Sequence, residues 1–410
     1  MTTTTEPTGA RFRQLLSTRA TLAARGAMGP PPRPAGQRPV YEFGGGRPDP
    51  ASFPYQGLVS ATAEMMEVEG AEALTYGDAQ GYAGLRELVA RKYELFEGLK
   101  VPPENILISN GSGHAISLVI SAFVDIGDPV ICEAPTFMGT LNTLRRHGAE
   151  VHEVPLDDEG IVTEVVRERL EALRDAGRPC KLIYTMPTFH NPAGPTMSLR
   201  RRRELVALAG EYGTLILEDD AYGDLRFEGE ALPSLYALDE SGGTVRTGTL
   251  SKILGAGMRL GWACASRELI QALQSFNFGG GVSPFSSRVA TYYMRENMRE
   301  HVALLVDVYR EKRDAMLRGL REGLDGTEVE LNHPEGGFFL WLKLPAGADP
   351  ARVGQLAREA GVLYVPGTAC FAGGGGAEYI RLAFSYEPAE RCYEGAKLLG
   401  QAIRRVMSDE

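Results

Sequence analysis

The chain has 410 residues, 43% of them hydrophobic, and its 43 Lys and Arg against 53 Asp and Glu leave a formal net charge of −10. That length exceeds one ordinary domain and predicts a large unit followed by a smaller one. The acidic balance excludes a sequence-independent grip on nucleic acid. A membrane span is excluded too, because Asp125 and Asp128 interrupt the longest apolar stretch, His114 to Cys132.

In chain order, residues 1–40 read as an N-terminal arm. Its start, Met1-Thr-Thr-Thr-Thr-Glu, lacks the basic region and apolar core of a secretory leader. A basic amphipathic piece, Arg11 to Arg25, leads into Gly29-Pro-Pro-Pro-Arg-Pro, which cannot be helical. Residues 41–290 alternate strand-like runs with longer helical patterns. The runs are Ile106-Leu-Ile-Ser, Val130-Ile-Cys-Glu, Val151-His-Glu-Val, Leu182-Ile-Tyr-Thr, Leu215-Ile-Leu-Glu, Gly243-Thr-Val-Arg-Thr-Gly and Trp262-Ala-Cys-Ala. Between them, Ala115–Val124 and Arg200–Gly210 space their apolar residues near 3.6. This predicts an α/β fold: a large domain with a mostly parallel seven-stranded sheet covered by helices on both faces. Residues 41–60 are expected to contribute to the small domain or to a substrate pocket. Arg200-Arg-Arg-Arg203 beside Glu204 reads as a solvated helix face.

Residues 291–410 change pattern. A long helix is expected through Val302–Gly319, followed by Val329-Glu-Leu, Phe338-Phe-Leu-Trp-Leu-Lys-Leu and Tyr379-Ile-Arg-Leu-Ala-Phe with helical pieces between. This predicts a smaller α+β domain. Cysteines at 132, 180, 264, 370 and 392 show no metal-ligand spacing. Reduced, buried thiols and a cytoplasmic location are the expectation.

In an open parallel sheet, ligands bind beyond the carboxyl ends of the strands. Polar clusters stand there in this sequence. Thr249-Leu-Ser-Lys-Ile-Leu-Gly-Ala-Gly-Met-Arg259 offers hydroxyls, glycines and a guanidinium for a phosphate, and in Lys252 an amine able to form an imine with an aldehyde. Taken alone, it is equally an exposed turn. Asn110-Gly111-Ser112-Gly113-His114 opens a helix. It reads either as an anion site or as an ordinary N-cap with Ser112 as the capping hydroxyl. Phe137 is either core or a platform for a planar ring. Asn191, before a proline, is a turn former whose amide can also donate to a phenolic oxygen. Glu218-Asp219-Asp220 ends a buried strand, a costly placement unless a cation such as a pyridinium meets it or one of the aspartates caps a helix. Arg381 either pairs with an acid, lies on the surface or grips a carboxylate with two arms.

Taken together, Phe43-Gly-Gly-Gly, Tyr76-Gly-Asp-Ala-Gln-Gly-Tyr, Asn110-Gly-Ser, Ala134-Pro-Thr-Phe, His190-Asn-Pro-Ala-Gly, Asp219-Asp-Ala-Tyr, Ser251-Lys and Ile380-Arg-Leu follow one another in an order that resembles the fold-type I pyridoxal-phosphate enzymes. Within these, the chain is most similar to class I/II aminotransferases of the 2-aminoadipate and aromatic aminotransferase-like subfamily, from about Tyr41 to the end. The resemblance implies pyridoxal 5'-phosphate joined to Lys252, with its ring nitrogen on Asp219 and its phenolic oxygen on Asn191 and Tyr222. It further implies Phe137 stacked on the ring, and Gly111, Ser112, Gly113, Thr249, Ser251 and Arg259 around the phosphate. Tyr76 would reach the phosphate of a neighbouring subunit, which implies a homodimer. Arg381, with Asn191 and Gly45, would bind the substrate carboxylate. The implied reaction is ping-pong transfer of an amino group from an α-amino acid to a 2-oxo acid.

Two departures from the family pattern stand out. Gly113-His114 occupies a place where polar amides are common, leaving His114 either near the phosphate or packed in the first helical turn. Ala256 replaces a common proline. The same residues would also serve a racemase, decarboxylase, cyclase or oxidase of amino acids. A transcription regulator with an aminotransferase-like sensor is disfavoured, since the forty residues before the match are too few for a winged-helix domain.

Overall fold

A computed structural model of the chain describes residues 14–25, 41–277, 281–327 and 329–408. Most of the expected arm, including the proline run at 29–34, and residues 278–280 of the Phe276–Ser283 stretch lie outside those residues.

The strands are β1 (Tyr41–Glu42), β2 (Ile106–Ser109), β3 (Pro129–Ala134), β4 (Glu150–Asp157), β5 (Gly160–Ile161), β6 (Leu182–Thr185), β7 (Leu215–Asp220), β8 (Thr244–Thr249), β9 (Gly261–Cys264), β10 (Glu330–Leu331), β11 (Phe339–Lys343), β12 (Val362–Leu363), β13 (Val365–Pro366) and β14 (Tyr379–Ala383). The helices are α1 (Thr18–Arg25), α2 (Tyr55–Ala73), α3 (Ala83–Glu97), α4 (Ser112–Phe123), α5 (Met138–His147), α6 (Thr163–Asp175), α7 (Leu199–Tyr212), α8 (Leu235–Leu238), α9 (Arg267–Phe276), α10 (Pro284–Gly323), α11 (Pro350–Glu359) and α12 (Ala389–Ser408).

One sheet runs in the order β2-β9-β8-β7-β6-β3-β4-β5. All seven strand-like runs of residues 106–265 are in it. The added β5 is a two-residue return from β4, too short to leave a periodic signal. The pairs β8–β7, β7–β6, β6–β3 and β3–β4 are parallel, while β9 runs antiparallel to both β8 and β2. Two reversals restore direction, so β2 ends on the same side as β3, β6, β7 and β8. Successive residues alternate between two cores, as a pleated strand requires. Val130, Leu182, Tyr184 and Leu217 join one core with Ile116, Val119 and Ile120 of α4. Ile131, Ile183 and Ile216 join the other with Val166 and Leu170 of α6 and Leu205 and Leu208 of α7. Both faces are therefore covered.

The arginine run at the start of α7 corrects one expectation. Arg200 and Arg203 are exposed, but Arg201 and Arg202 are buried. Arg201 pairs with Asp157 at 2.9 Å and donates to the carbonyls of Gly160 and Ile161. Arg202 donates to the carbonyls of Met197, Pro187 and Pro233 and to the Thr188 hydroxyl. Carbonyls of the short strand β5 and of the loops beside α7 recruit these guanidiniums inward.

A second, antiparallel sheet has the order β10-β11-β14-β13. β1 pairs with β12, Tyr41 opposite Val362, so the segment after the arm joins this C-terminal layer. The long helix α10 starts well before Val302. Ser283 caps it at the amide of Ser286, and Pro284 follows the cap. It packs along α12 closely enough that a Cβ at Gly319 would lie 2.1 Å from the carbonyl oxygen of Tyr393.

Candidate active site

The carboxyl-end edge of the large sheet collects the polar residues singled out in the sequence. Lys252 lies in the turn after β8. Its Nζ donates to the carbonyl of Gly46 at 2.9 Å and stands 5.5 Å from the ring centre of Tyr222. Burial lowers its pKa to about 8, against an upward pull from the Asp219 carboxylate. Asp219 is buried at the end of β7. Tyr184 donates to its Oδ2 at 2.8 Å, and the Thr247 hydroxyl is 3.4 Å from Oδ1. Burial raises the Asp219 pKa to about 6, while the Tyr184 hydrogen bond opposes that rise.

The three consecutive acids find three different solutions. Glu218 accepts the amides of Leu235 and Tyr236. Asp220 pairs with Arg246 at 2.6 Å and accepts the amide of Gly223. Asp219, flanked by two hydroxyl donors, is the member left facing Lys252. No helix starts here for either aspartate to cap.

Arg381, 4% exposed, projects from β14. Its Nη1 donates to Asn191 Oδ1 at 2.9 Å, its Nη2 donates to the Gly44 carbonyl at 2.8 Å, and its buried Nε has no partner among the described residues. The guanidinium lies 4.4 Å from the ring centre of Phe339. Tyr222 is held between Phe338 and Phe339, and burial pushes its phenol well above the usual range. A Cβ at Gly46 would strike Phe339 at 2.6 Å, so only glycine lets the loop pass. Gly45 lies under the Arg47 side chain.

After β2, Gly111 (φ 81°) is the N-cap of α4, and Ser112 is the first helical residue, so the Ser112 hydroxyl does not cap. His114, half-buried in the first turn, accepts the amide of Asn110, just ahead of the N-cap, at its Nδ1 at 3.2 Å. The amides of Ser112 and Gly113 precede the intrahelical ladder and remain available donors. Space beside Gly113 is open, since a Cβ there would meet nothing within 4 Å. Arg259 Nη2 donates to the Asn110 carbonyl and lies 3.1 Å from where a Cβ of Gly111 would be. Thr249 and Ser251 hydroxyls join at 2.9 Å. Thr249 is paired with Gly261, which packs against Gly111 and Ser112, so hydroxyls, helix-terminal amides and a guanidinium gather at one edge of the sheet, a donor set that fits a phosphate.

Phe137 is half-buried just before α5. Tyr76, 95% exposed, stands outside the cluster. Reasoning from sequence missed Tyr184 and the pair Glu133–His190. Glu133 is wholly buried and accepts from Thr185, Met186 and His190, which fixes the loop carrying Asn191. A tyrosine in the middle of a buried strand was the available signal, because its hydroxyl needs a partner there.

Comparison with known proteins converges on one family. Residues 48–396 match the model of aminotransferase class I and II. The chain is 36% identical to an aromatic-amino-acid aminotransferase of Thermococcus litoralis, over 90% of this chain and 89% of that one. It is 35% identical to the 2-aminoadipate transaminase of Thermus thermophilus, over 91% and 92%. The crystal structure of LysN, the α-aminoadipate aminotransferase of Thermus thermophilus complexed with N-(5'-phosphopyridoxyl)-L-leucine, superposes with a TM-score of 0.84 at 31% identity, covering 97% of this chain and 100% of that one. Motif order, fold and these relatives agree that the chain belongs to the class I and II aminotransferases.

Proposed function

We propose that the protein uses pyridoxal 5'-phosphate, held by Lys252 and Asp219, to move the amino group of an α-amino acid to a 2-oxo acid. The carrying observation is the Lys252 amine, half-buried beside a single carbonyl acceptor and depressed to a pKa of about 8, close enough to the Asp219 carboxylate to feel its charge. The phosphate would sit against Gly111, Ser112, Gly113, Thr249, Ser251 and Arg259, whose amides, hydroxyls and guanidinium gather at the same edge of the sheet. Asn191, Tyr222 and Phe137 would border the ring.

Bound there, the coenzyme supplies an aldehyde for amine exchange and a ring that withdraws electrons from the substrate α-carbon. The chain supplies the rest. Asp219, as an anion, favours a proton on whatever ring nitrogen faces it. Lys252 can hold a proton at Nζ or give it up near neutrality, which suits proton transfer at the α-carbon. Arg381 has Nε and further N–H groups to spare, enough to clamp a carboxylate. The Phe338, Phe339 and Tyr222 rings exclude water around it.

The active unit is proposed to be a homodimer, with Tyr76 completing the phosphate site of its partner. The exposed apolar face of α2, including Tyr55, Val59 and Met66, supports this. The five buried, unpaired cysteines support a cytoplasmic setting. No helix among the described residues is long and apolar enough to cross a membrane.

The test is reconstitution with pyridoxal 5'-phosphate, followed by a single turnover with a panel of amino donors and no acceptor. Transfer releases one 2-oxo acid per site and bleaches the coenzyme band, which separates it from racemisation and decarboxylation. Lys252→Ala should lose both band and turnover. Wild-type protein that stays colourless with the coenzyme overturns the reading.

A further inference from the structure

The loop between β1 and α2 presents two carbonyls to the two cations of the site: Gly44 to Arg381 and Gly46 to Lys252. Three consecutive glycines give that loop little stiffness of its own. Its order comes from outside. Asp49, at its far end, receives the ammonium of Lys312 from α10 at 2.6 Å, with both side chains largely buried. Lys312 also donates to the carbonyl of Ser385 at 3.3 Å, and the Ser385 hydroxyl donates to the carbonyl of Arg47 at 2.6 Å. One turn earlier on the same face of α10, the Tyr309 hydroxyl accepts the amide of Asp49 at 3.1 Å. The second Asp49 oxygen accepts the amide of Ala51 at 2.9 Å.

A buried ion pair is a poor choice for stability alone, because desolvation offsets much of the attraction and apolar packing serves as well. Its advantage is one defined geometry. We propose that Asp49 and Lys312 are positioning residues: they fix the Gly44–Gly46 carbonyls and thereby aim the Arg381 guanidinium at the substrate carboxylate. This rests on the reading of Arg381 given above.

The experiment uses the coenzyme-loaded enzyme as wild type, Asp49→Asn, Lys312→Met, the double variant and Lys312→Arg. The probe is whichever of propanoate, glutarate and 3-phenylpropanoate wild type binds most tightly, followed by its shift of the coenzyme band. Carboxylate affinity and the KM of the amino donor should each worsen about tenfold in both single variants, with kcat within about threefold and the double variant no worse than either single one. Lys312→Arg should recover most of the affinity. If Lys312→Met does not fold, the isosteric Asp49→Asn carries the test. Folded variants that keep wild-type carboxylate affinity, or a Lys312→Arg variant as impaired as Lys312→Met, overturn the proposal. A wild type that forms the band but binds no carboxylate overturns the Arg381 reading instead.

Discussion

Tyr184 and Asp219, on the adjacent parallel strands β6 and β7, share a 2.8 Å hydrogen bond inside the sheet's carboxyl edge. The phenol donates, so it favours the ionised carboxylate and works against burial. Tyr184→Phe should therefore raise the Asp219 pKa further above about 6. A lost hydrogen bond to a charged acceptor is worth about 1.5–3 kcal/mol, or roughly one to two pH units. Difference infrared titration of the coenzyme-free protein measures this, with Asp219→Asn identifying the band. An unchanged midpoint would remove Tyr184 from the account.

Asp219 should also cost the coenzyme-free protein stability. Its folded pKa of about 6 exceeds the ordinary 3.8, so the folded state binds more protons between those values. Stability then falls as pH rises through that window, and the penalty is complete above it. Asp219→Asn should stabilise the coenzyme-free protein at pH 7 by on the order of 1–3 kcal/mol, seen as a higher melting temperature, and little or not at all at pH 4. Equal effects at both pH values would contradict the burial of an ionised carboxylate.

The strands, and the places of several candidate site residues, were legible because each strand announces itself by an apolar run and the candidates stand just behind one. Lys252 and Asp219 obey that rule, while Asn191 lies further along the loop after β6. Arg202 did not, because the carbonyls that draw it inward belong to loops far apart in sequence. The Asp49–Lys312 pair joins positions 263 residues apart, and no local pattern marks either member. His114 stayed ambiguous for the opposite reason: its partner, the Asn110 amide, is so near in sequence that a local turn contact and a ligand contact look alike.

Lys252 titrates where it can be watched. With a pKa of about 8, its neutral fraction climbs steeply between pH 7 and 9, whereas an ordinary lysine is still protonated. In coenzyme-free protein, the rate of labelling of this amine by trinitrobenzenesulfonate should rise with a midpoint near pH 8. Asp219→Asn should move that midpoint lower, because the carboxylate favours the ammonium. Peptide mapping isolates Lys252 from surface lysines. A midpoint above pH 10 would show that the amine is not desolvated.

Arg381→Lys tests whether shape or charge binds the substrate. The guanidinium spends one N–H on Asn191 and one on Gly44, and still has Nε and further N–H groups to offer. An ammonium in its place has three donors from a single atom, and the same two protein acceptors would take two of them. The remaining donor cannot clamp both oxygens of a carboxylate. The variant should keep its coenzyme band, since Arg381 does not contact Lys252 or Asp219 through any hydrogen bond. Loss of one or two charge-assisted bonds predicts a fall in kcat/KM of roughly 10- to 100-fold, carried mainly by KM. If Arg381→Lys matches wild type in kcat/KM, positive charge alone suffices and the two-armed clamp is wrong. If the coenzyme band disappears with it, Arg381 supports the pocket through Asn191, and the substrate carboxylate must be sought elsewhere.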